Sequence, residues 1–194
     1  MHLCYNVYSL SCHSGVYIVG SSLIKRLHDY VQRFREGFGL PLPVKLIGQS
    51  GLQLHQVRPL IDREIGDCQP AYLVLHVGAN DIGRLGSREW NKEFHILILY
   101  LRARYAGTTL IFSEMLPRTA WRYASQSVAE NIRKREQRRA RQLMYREQGG
   151  VISHANITAD SRCLLGDGVH LSEQGQALFK QNLEEGLFKI IVSI

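Results

Sequence analysis

Several absences narrow what this chain can be. No apolar run approaches the roughly 20 residues that a membrane-spanning helix needs. The mildly apolar residues 1–14 lack the basic start and the unbroken apolar centre of a signal peptide, so an intracellular location is expected. The four cysteines, Cys4, Cys12, Cys68 and Cys163, form no CxxC pair, and their wide spacing matches neither a zinc site nor a disulfide framework. Free thiols in a reducing compartment are expected. No HExxH and no histidine cluster is present, which argues against a metal enzyme. A Walker A loop and GxGxxG are also missing, which argues against a nucleotide enzyme, and the lack of GxSxG argues against an ordinary α/β-hydrolase. Repeats, low-complexity tracts and linkers are absent too.

What is present is an ordinary globular composition. Apolar residues make up 45% and charged residues 21% of 194 positions, enough for one domain with a buried core. Residues 1–15 read as an N-terminal extension outside the fold, and residues 16–194 as the single domain. The formal net charge of +7 is concentrated in residues 131–146, NIRKREQRRARQLMYR. Arg133, Lys134, Arg135, Arg138, Arg139 and Arg141 are candidate contacts for nucleic acid or an anionic membrane surface. The plainer alternative is a solvated helix face. No aromatics are interleaved to form a stacking platform for bases.

Apolar runs alternate with helical patterns along the chain, which predicts a parallel sheet covered by helices on both faces. Strands are expected at residues 16–19, 44–47, 72–77, 108–112 and, weakly, 151–152. Between them, Leu23, Leu27, Tyr30, Val31 and Phe34 share one helical face, and Gly37 is the expected stop. Further helices are expected over residues 55–65, 88–105 and 127–147. The third of these has Val128, Ile132, Leu143 and Met144 available for packing. Ser172 is a good N-cap for a last helix reaching about residue 188. A doubly wound sheet of order 2-1-3-4-5 would open a crevice at the carboxyl ends of strands 1 and 3.

Four turns could bear on that crevice. The first strand ends in Gly20-Ser21-Ser22-Leu23, which puts a serine at a helix N-terminus, where the free N–H groups favour developing negative charge. A serine that merely caps the helix is the alternative. The second strand leads into Gly48-Gln49-Ser50-Gly51, where a glycine permits a backbone N–H to approach a ligand, although read alone this is only a loop. The third ends in Gly78-Ala79-Asn80-Asp81, and Asn80 could aim an amide N–H into the same space. An ordinary Asn/Asp turn would look the same. Before the last helix stands Asp167-Gly168-Val169-His170, an acid three residues ahead of a base. Such a pair suits an imidazole whose tautomer a carboxylate fixes, although a lone DxxH also fits a surface turn or a pair of metal ligands.

In this order and spacing the four pieces resemble the SGNH hydrolases, also called the GDSL-like esterase/lipase superfamily, over about residues 16–188. The resemblance implies a three-layer α/β/α, flavodoxin-like fold of about five strands. It also implies ester hydrolysis through an acyl-enzyme without a cofactor, on a small ester or lipid. Ser22 would be the nucleophile, His170 the base and Asp167 its orienting acid. The backbone N–H groups of Ser22 and Gly51 and the Asn80 side chain would form the oxyanion hole. Ser21 stands where the family usually has Asp, which is not a triad member. A weaker similarity, carried by the short domain, this turn and the basic helix, is to esterase domains of retrotransposons. The competing expectation is a catalytically silent module of the same fold that binds a partner through the basic helix. Trp121 and Tyr123, in the loop after the fourth strand, are candidates to line an acyl site.

Overall fold

The computed structural model describes residues 15–193. Residues 1–14, with Cys4 and Cys12, lie outside the described residues. The elements alternate as β1 (Val16–Gly20), α1 (Ser22–Phe34), β2 (Val44–Gly48), α2 (Leu54–Glu64), β3 (Tyr72–His76), α3 (Ser87–Arg104), β4 (Thr109–Ser113), α4 (Gln126–Arg146), β5 (Gly150–Ile152) and α5 (Glu173–Val192). All four strand pairings are parallel, in the order β2-β1-β3-β4-β5. β1 and β3 are fully buried, as their near-continuous apolar runs require of central parallel strands.

Alternation along the strands divides the core in two. Tyr17, Val19, Leu73, Leu75, Leu110 and Phe112 face α2, α3 and α4. Val16, Ile18, Tyr72, Val74 and Ile111 face α1 and α5. This is the three-layer α/β/α arrangement. Leu23, Ile24 and Leu27 anchor α1, each stabilising by about 1.5–3 kcal/mol relative to exposure. The helix ends at Arg35, in a left-handed conformation at φ 52°, before the expected stop at Gly37. Phe34, read as part of the inner face, is exposed. Ser172 caps α5 as expected, its Oγ accepting from the Gly175 N–H at 3.1 Å.

The inner face of α4 differs from its apolar reading. Ala129, Arg133, Glu136, Ala140 and Met144 are its buried residues, Ile132 and Leu143 are partly buried, and Val128 is exposed. Arg133 therefore cannot serve the external partner read for it. Its guanidinium is bidentate on Glu130, Nε donating to Oε1 at 3.1 Å and Nη2 to Oε2 at 2.8 Å, and Nη1 donates to Met115 O at 2.7 Å. Glu136 is buried and accepts from Ser87 Oγ and Asn91 Nδ2, both at 2.6 Å. Arg135 pairs with Glu136 at 2.8 Å and Arg139 with the same carboxylate at 3.4 Å, and Arg141 pairs with Glu114. Lys134 and Arg138 are exposed and form no ion pair with a described residue. Much of the basic charge thus neutralises acids that hold α4 against α3 and the sheet.

The cysteines also divide. Cys163 is a buried free thiol, but Cys68 is disulfide-bonded, contrary to the reading of free thiols throughout. Spacing along a chain does not report distance in space. Among the described residues, no helix is long and apolar enough to cross a membrane.

Candidate active site

The topology reverses between β1 and β3, whose carboxyl ends flank a cleft of about 960 Å³. Ser22, Gly51, Asn80, Asp167 and His170 all line it. Ser22 is the first residue of α1. Ser21 occupies the N-cap position, but its side chain makes no capping hydrogen bond, so simple capping does not account for this serine pair.

His170 Nε2 lies 3.0 Å from Ser22 Oγ, and His170 Nδ1 lies 2.6 Å from Asp167 Oδ2. With Nδ1 protonated and held by the carboxylate, Nε2 is left to accept the serine proton. The other Asp167 oxygen accepts the backbone N–H groups of Val169 and His170, each at 2.9 Å. Burial alone would push the Asp167 carboxyl up. These backbone bonds and the His170 ring outweigh that effect and hold it well below the usual carboxylate range.

The loop bearing this pair is pinned at both ends and from outside. Leu165 N–H donates to His170 O at 2.8 Å, and Ser172 N–H to Cys163 O at 2.9 Å. Gly168 O accepts from the N–H groups of Thr119 and Ala120, at 2.9 and 3.2 Å. Acid and base are therefore fastened as one unit to the loop after β4.

The GxND turn is a short 3-10 segment, Ala79–Asp81, which the sequence pattern did not anticipate. Gly78 enters it at φ 94°, and a Cβ there would stand 2.5 Å from the Trp90 ring, so only glycine fits. Asp81 is fully buried and accepts the Leu54 N–H at the start of α2, at 3.0 Å, while pairing with Arg84. Burial pushes its carboxyl up, against those stabilising bonds. This carboxylate ties the third turn to the loop carrying Gly51. Gly51 itself is at φ 71°, and no other group lies within 4 Å of the place a Cβ would take, so its backbone borders open space. Asn80 Nδ2 donates to Leu52 O at 2.9 Å, and Asn80 Oδ1 accepts from Arg118 Nη1 at 3.2 Å.

Trp121 and Tyr123 both line the cleft, as does Arg118, which the sequence reading passed over. Its place in the loop directly after β4, another strand carboxyl end, is the signal that could have found it. Beneath the cleft lies a second missed group, the buried His76, Ser113 and His154. Ser113 Oγ is 3.0 Å from His76 Nδ1 and 2.8 Å from His154 Nε2. Burial, with the nearby Arg118 charge, lowers the His76 pKa to about 3, and burial beside His76 lowers that of His154 too. Among the described residues, no group of three or more His, Cys, Asp or Glu is placed to hold a metal ion.

Comparison with known proteins agrees with this fold. The fold is shared with a GDSL-like lipase from Bacteroides thetaiotaomicron VPI-5482, at TM-score 0.71 and 14% identity over 92% of this chain and 89% of that one. A lipase/acylhydrolase from Enterococcus faecalis superposes at TM-score 0.70 with 17% identity, over 91% and 96% of the two chains. An acetylxylan esterase from Geobacillus stearothermophilus does so at TM-score 0.66 with 13% identity, over 90% and 94%. No curated protein matches. At the sequence level, residues 13–178 match the GDSL-like Lipase/Acylhydrolase family. A match spanning most of the chain, on the fold just described, establishes that this protein belongs to the GDSL-like lipase/acylhydrolase family.

Proposed function

We propose that this protein hydrolyses carboxylic esters through a covalent acyl-enzyme on Ser22. Membership of an acylhydrolase family supports ester hydrolysis as the reaction class. One observation carries the residue assignment: the His170 imidazole bridges Ser22 Oγ at 3.0 Å and Asp167 at 2.6 Å, at the edge of an open cleft.

Ser22 Oγ attacks the ester carbonyl carbon while its proton passes to His170 Nε2. Asp167 steadies the imidazolium so formed. The carbonyl oxygen becomes an oxyanion, which the Asn80 amide and the backbone N–H groups of Ser22 and Gly51 receive. The carbon–oxygen bond to the alcohol then breaks, and the departing oxygen takes the proton from His170. Water repeats the sequence in the second half. It gives a proton to His170 as it attacks the acyl carbon, and Ser22 regains a proton as the acid leaves. Small acyl esters, lipids and acetylated substrates all fit this chemistry, and Trp121 and Tyr123 offer an apolar wall for an acyl group.

The test is hydrolysis of p-nitrophenyl acetate by the wild-type protein and by Ser22→Ala. Wild-type turnover reduced to the buffer rate in the variant is the expected result. Equal rates in the two proteins would overturn the proposal.

A further inference from the structure

We propose that Arg118 is a positioning residue for the oxyanion hole: it locks the Asn80 amide in one orientation and sets a positive charge behind it. This rests on the reading of Ser22 and Asn80 given above.

A carboxamide offers one acceptor oxygen and two N–H donors. Asn80 Oδ1 faces Arg118 Nη1 at 3.2 Å, and a guanidinium can only donate. Asn80 Nδ2 faces the Leu52 carbonyl at 2.9 Å, and a carbonyl can only accept. Flipping the amide would set donor against donor and acceptor against acceptor. The two partners therefore hold a single orientation. One N–H of Nδ2 is spent on Leu52, and the other remains for the cleft that Asn80 lines. An oxyanion donor fixed before the reaction needs no reorganisation when charge develops.

Arg118 is itself fixed. It is 5% exposed, its guanidinium lies over the Trp121 ring at 5.3 Å, and its carbonyl accepts from Trp121 Nε1 at 3.1 Å. No described carboxylate forms an ion pair with this guanidinium, although Glu130 and Asp167 lie close enough to favour its charge. Glu130 accepts the Arg118 backbone N–H at 3.3 Å, but both its oxygens are engaged by the Arg133 guanidinium. Arg118 Nε has no hydrogen-bond partner among the described residues. Burial lowers the Arg118 pKa to about 10, opposed by the Glu130 and Asp167 carboxylates, so the group stays charged at neutral pH.

A buried cation with no carboxylate in direct ion-pair contact is costly in the resting protein. The cost falls when negative charge appears on the far side of Asn80, that is, in the tetrahedral intermediate. An interaction stronger in the transition state than in the ground state raises kcat rather than lowering KM. The exposed basic side chains around the cleft mouth, Lys25 and Arg26 among them, are better placed to meet a charged substrate than this buried group.

The test measures kcat and KM for p-nitrophenyl acetate with Arg118→Met and Arg118→Lys, each alone and combined with Asn80→Ala. Losing one oxyanion donor costs about 10²–10³ in rate, so Arg118→Met, which frees the donor without removing it and takes away the charge behind it, should lower kcat roughly 10- to 100-fold. KM should stay within about twofold, the pattern of a transition-state interaction. Arg118→Lys keeps the charge without the planar fork and should fall between wild type and Arg118→Met. On the Asn80→Ala background, Arg118→Met should cost clearly less than on the wild-type background, because the share carried by the Asn80 amide is already lost and only the through-space effect of the charge remains. A loss undiminished by Asn80→Ala would overturn the proposal. So would a rise in KM alone, confined to esters bearing a carboxylate or phosphate, which would assign Arg118 to substrate binding. Near-ultraviolet circular dichroism checks folding, and the lysine variant carries the same cycle if the methionine variant unfolds. Wild-type kcat in every Arg118 variant, with Ser22→Ala inactive, would sink this proposal and leave the hydrolase reading standing. Activity retained by Ser22→Ala would sink both.

Discussion

Two serine–histidine groups lie near one another in this fold, and they differ in everything except distance. Ser22 and His170 are 3.0 Å apart at the edge of the cleft, and Ser113 is 3.0 and 2.8 Å from His76 and His154 in the core. The first imidazole has a carboxylate on its other nitrogen. In the second group, the His76 ring packs against Phe179, and His154 Nδ1 has no hydrogen-bond partner among the described residues. The first serine begins a helix, where N–H groups and the helix dipole favour negative charge. The second is fully buried on a strand. A hydroxyl within reach of an imidazole is thus not by itself a candidate nucleophile. Access, a partner that stabilises the imidazolium and donors for the oxyanion make the difference.

Removing the carboxylate should collapse the contrast most strongly. Asp167→Asn keeps the shape of the loop but no longer stabilises the imidazolium, and kcat for p-nitrophenyl acetate should drop roughly 10³–10⁴-fold. A loss under about tenfold would show that the Asp167–His170 pair is only a loop fastening.

The buried group makes the opposite kind of prediction, one of stability. Both imidazoles are held neutral in the folded protein, with that of His76 lowered from 6.5 to about 3. Below 6.5 the unfolded chain binds protons that the folded chain refuses, so stability is full above this value and declines as pH falls. The decline should approach about 1.4 kcal/mol per pH unit for each histidine. Urea midpoints measured from neutral pH down to about 4.5 would show it, ahead of most carboxylate titration. A flat profile over that range would mean that the core group takes up protons in place.

The smallest expected effect on catalysis comes from Ser113→Ala. Two buried ring nitrogens lose their partner, which should cost about 1–3 kcal/mol in thermal or urea unfolding. Turnover should stay within about twofold of wild type, since Ser113 does not line the cleft. A large fall in kcat would tie the buried group to the site above it and erase the distinction.

How far the sequence could be read depended on where each residue sits. Ser22, Gly51, Asn80, Asp167 and His170 stood out as candidates because each lies in a turn next to a strand end or a helix start, and the family resemblance joined these turns into one set. Ser172 was legible from its helix start alone. Arg118 was not, because its place after a strand end marks a whole loop and a single arginine there has no pattern of its own. Nor was His76, which interrupts the apolar run Leu73-Val74-Leu75 at the strand end, and whose partner Ser113 lies 37 positions away. The basic helix misled for a related reason. Its charges were counted correctly, but sequence does not say which side chains turn inward: Glu130 and Glu136 on the same helix and Glu114 after β4 pair with four of the arginines.

The sequence by itself determined the alternation of strands and helices, the parallel sheet and the candidate residues at its turns. Those follow from periodicity and turn preference, which act over a few neighbouring residues. Only the tertiary structure decided that Ser22 and His170, 148 positions apart, meet at 3.0 Å, and which cations turn inward. Such meetings depend on strand order, register and the paths of loops, and these are settled by burying both faces of the sheet at once.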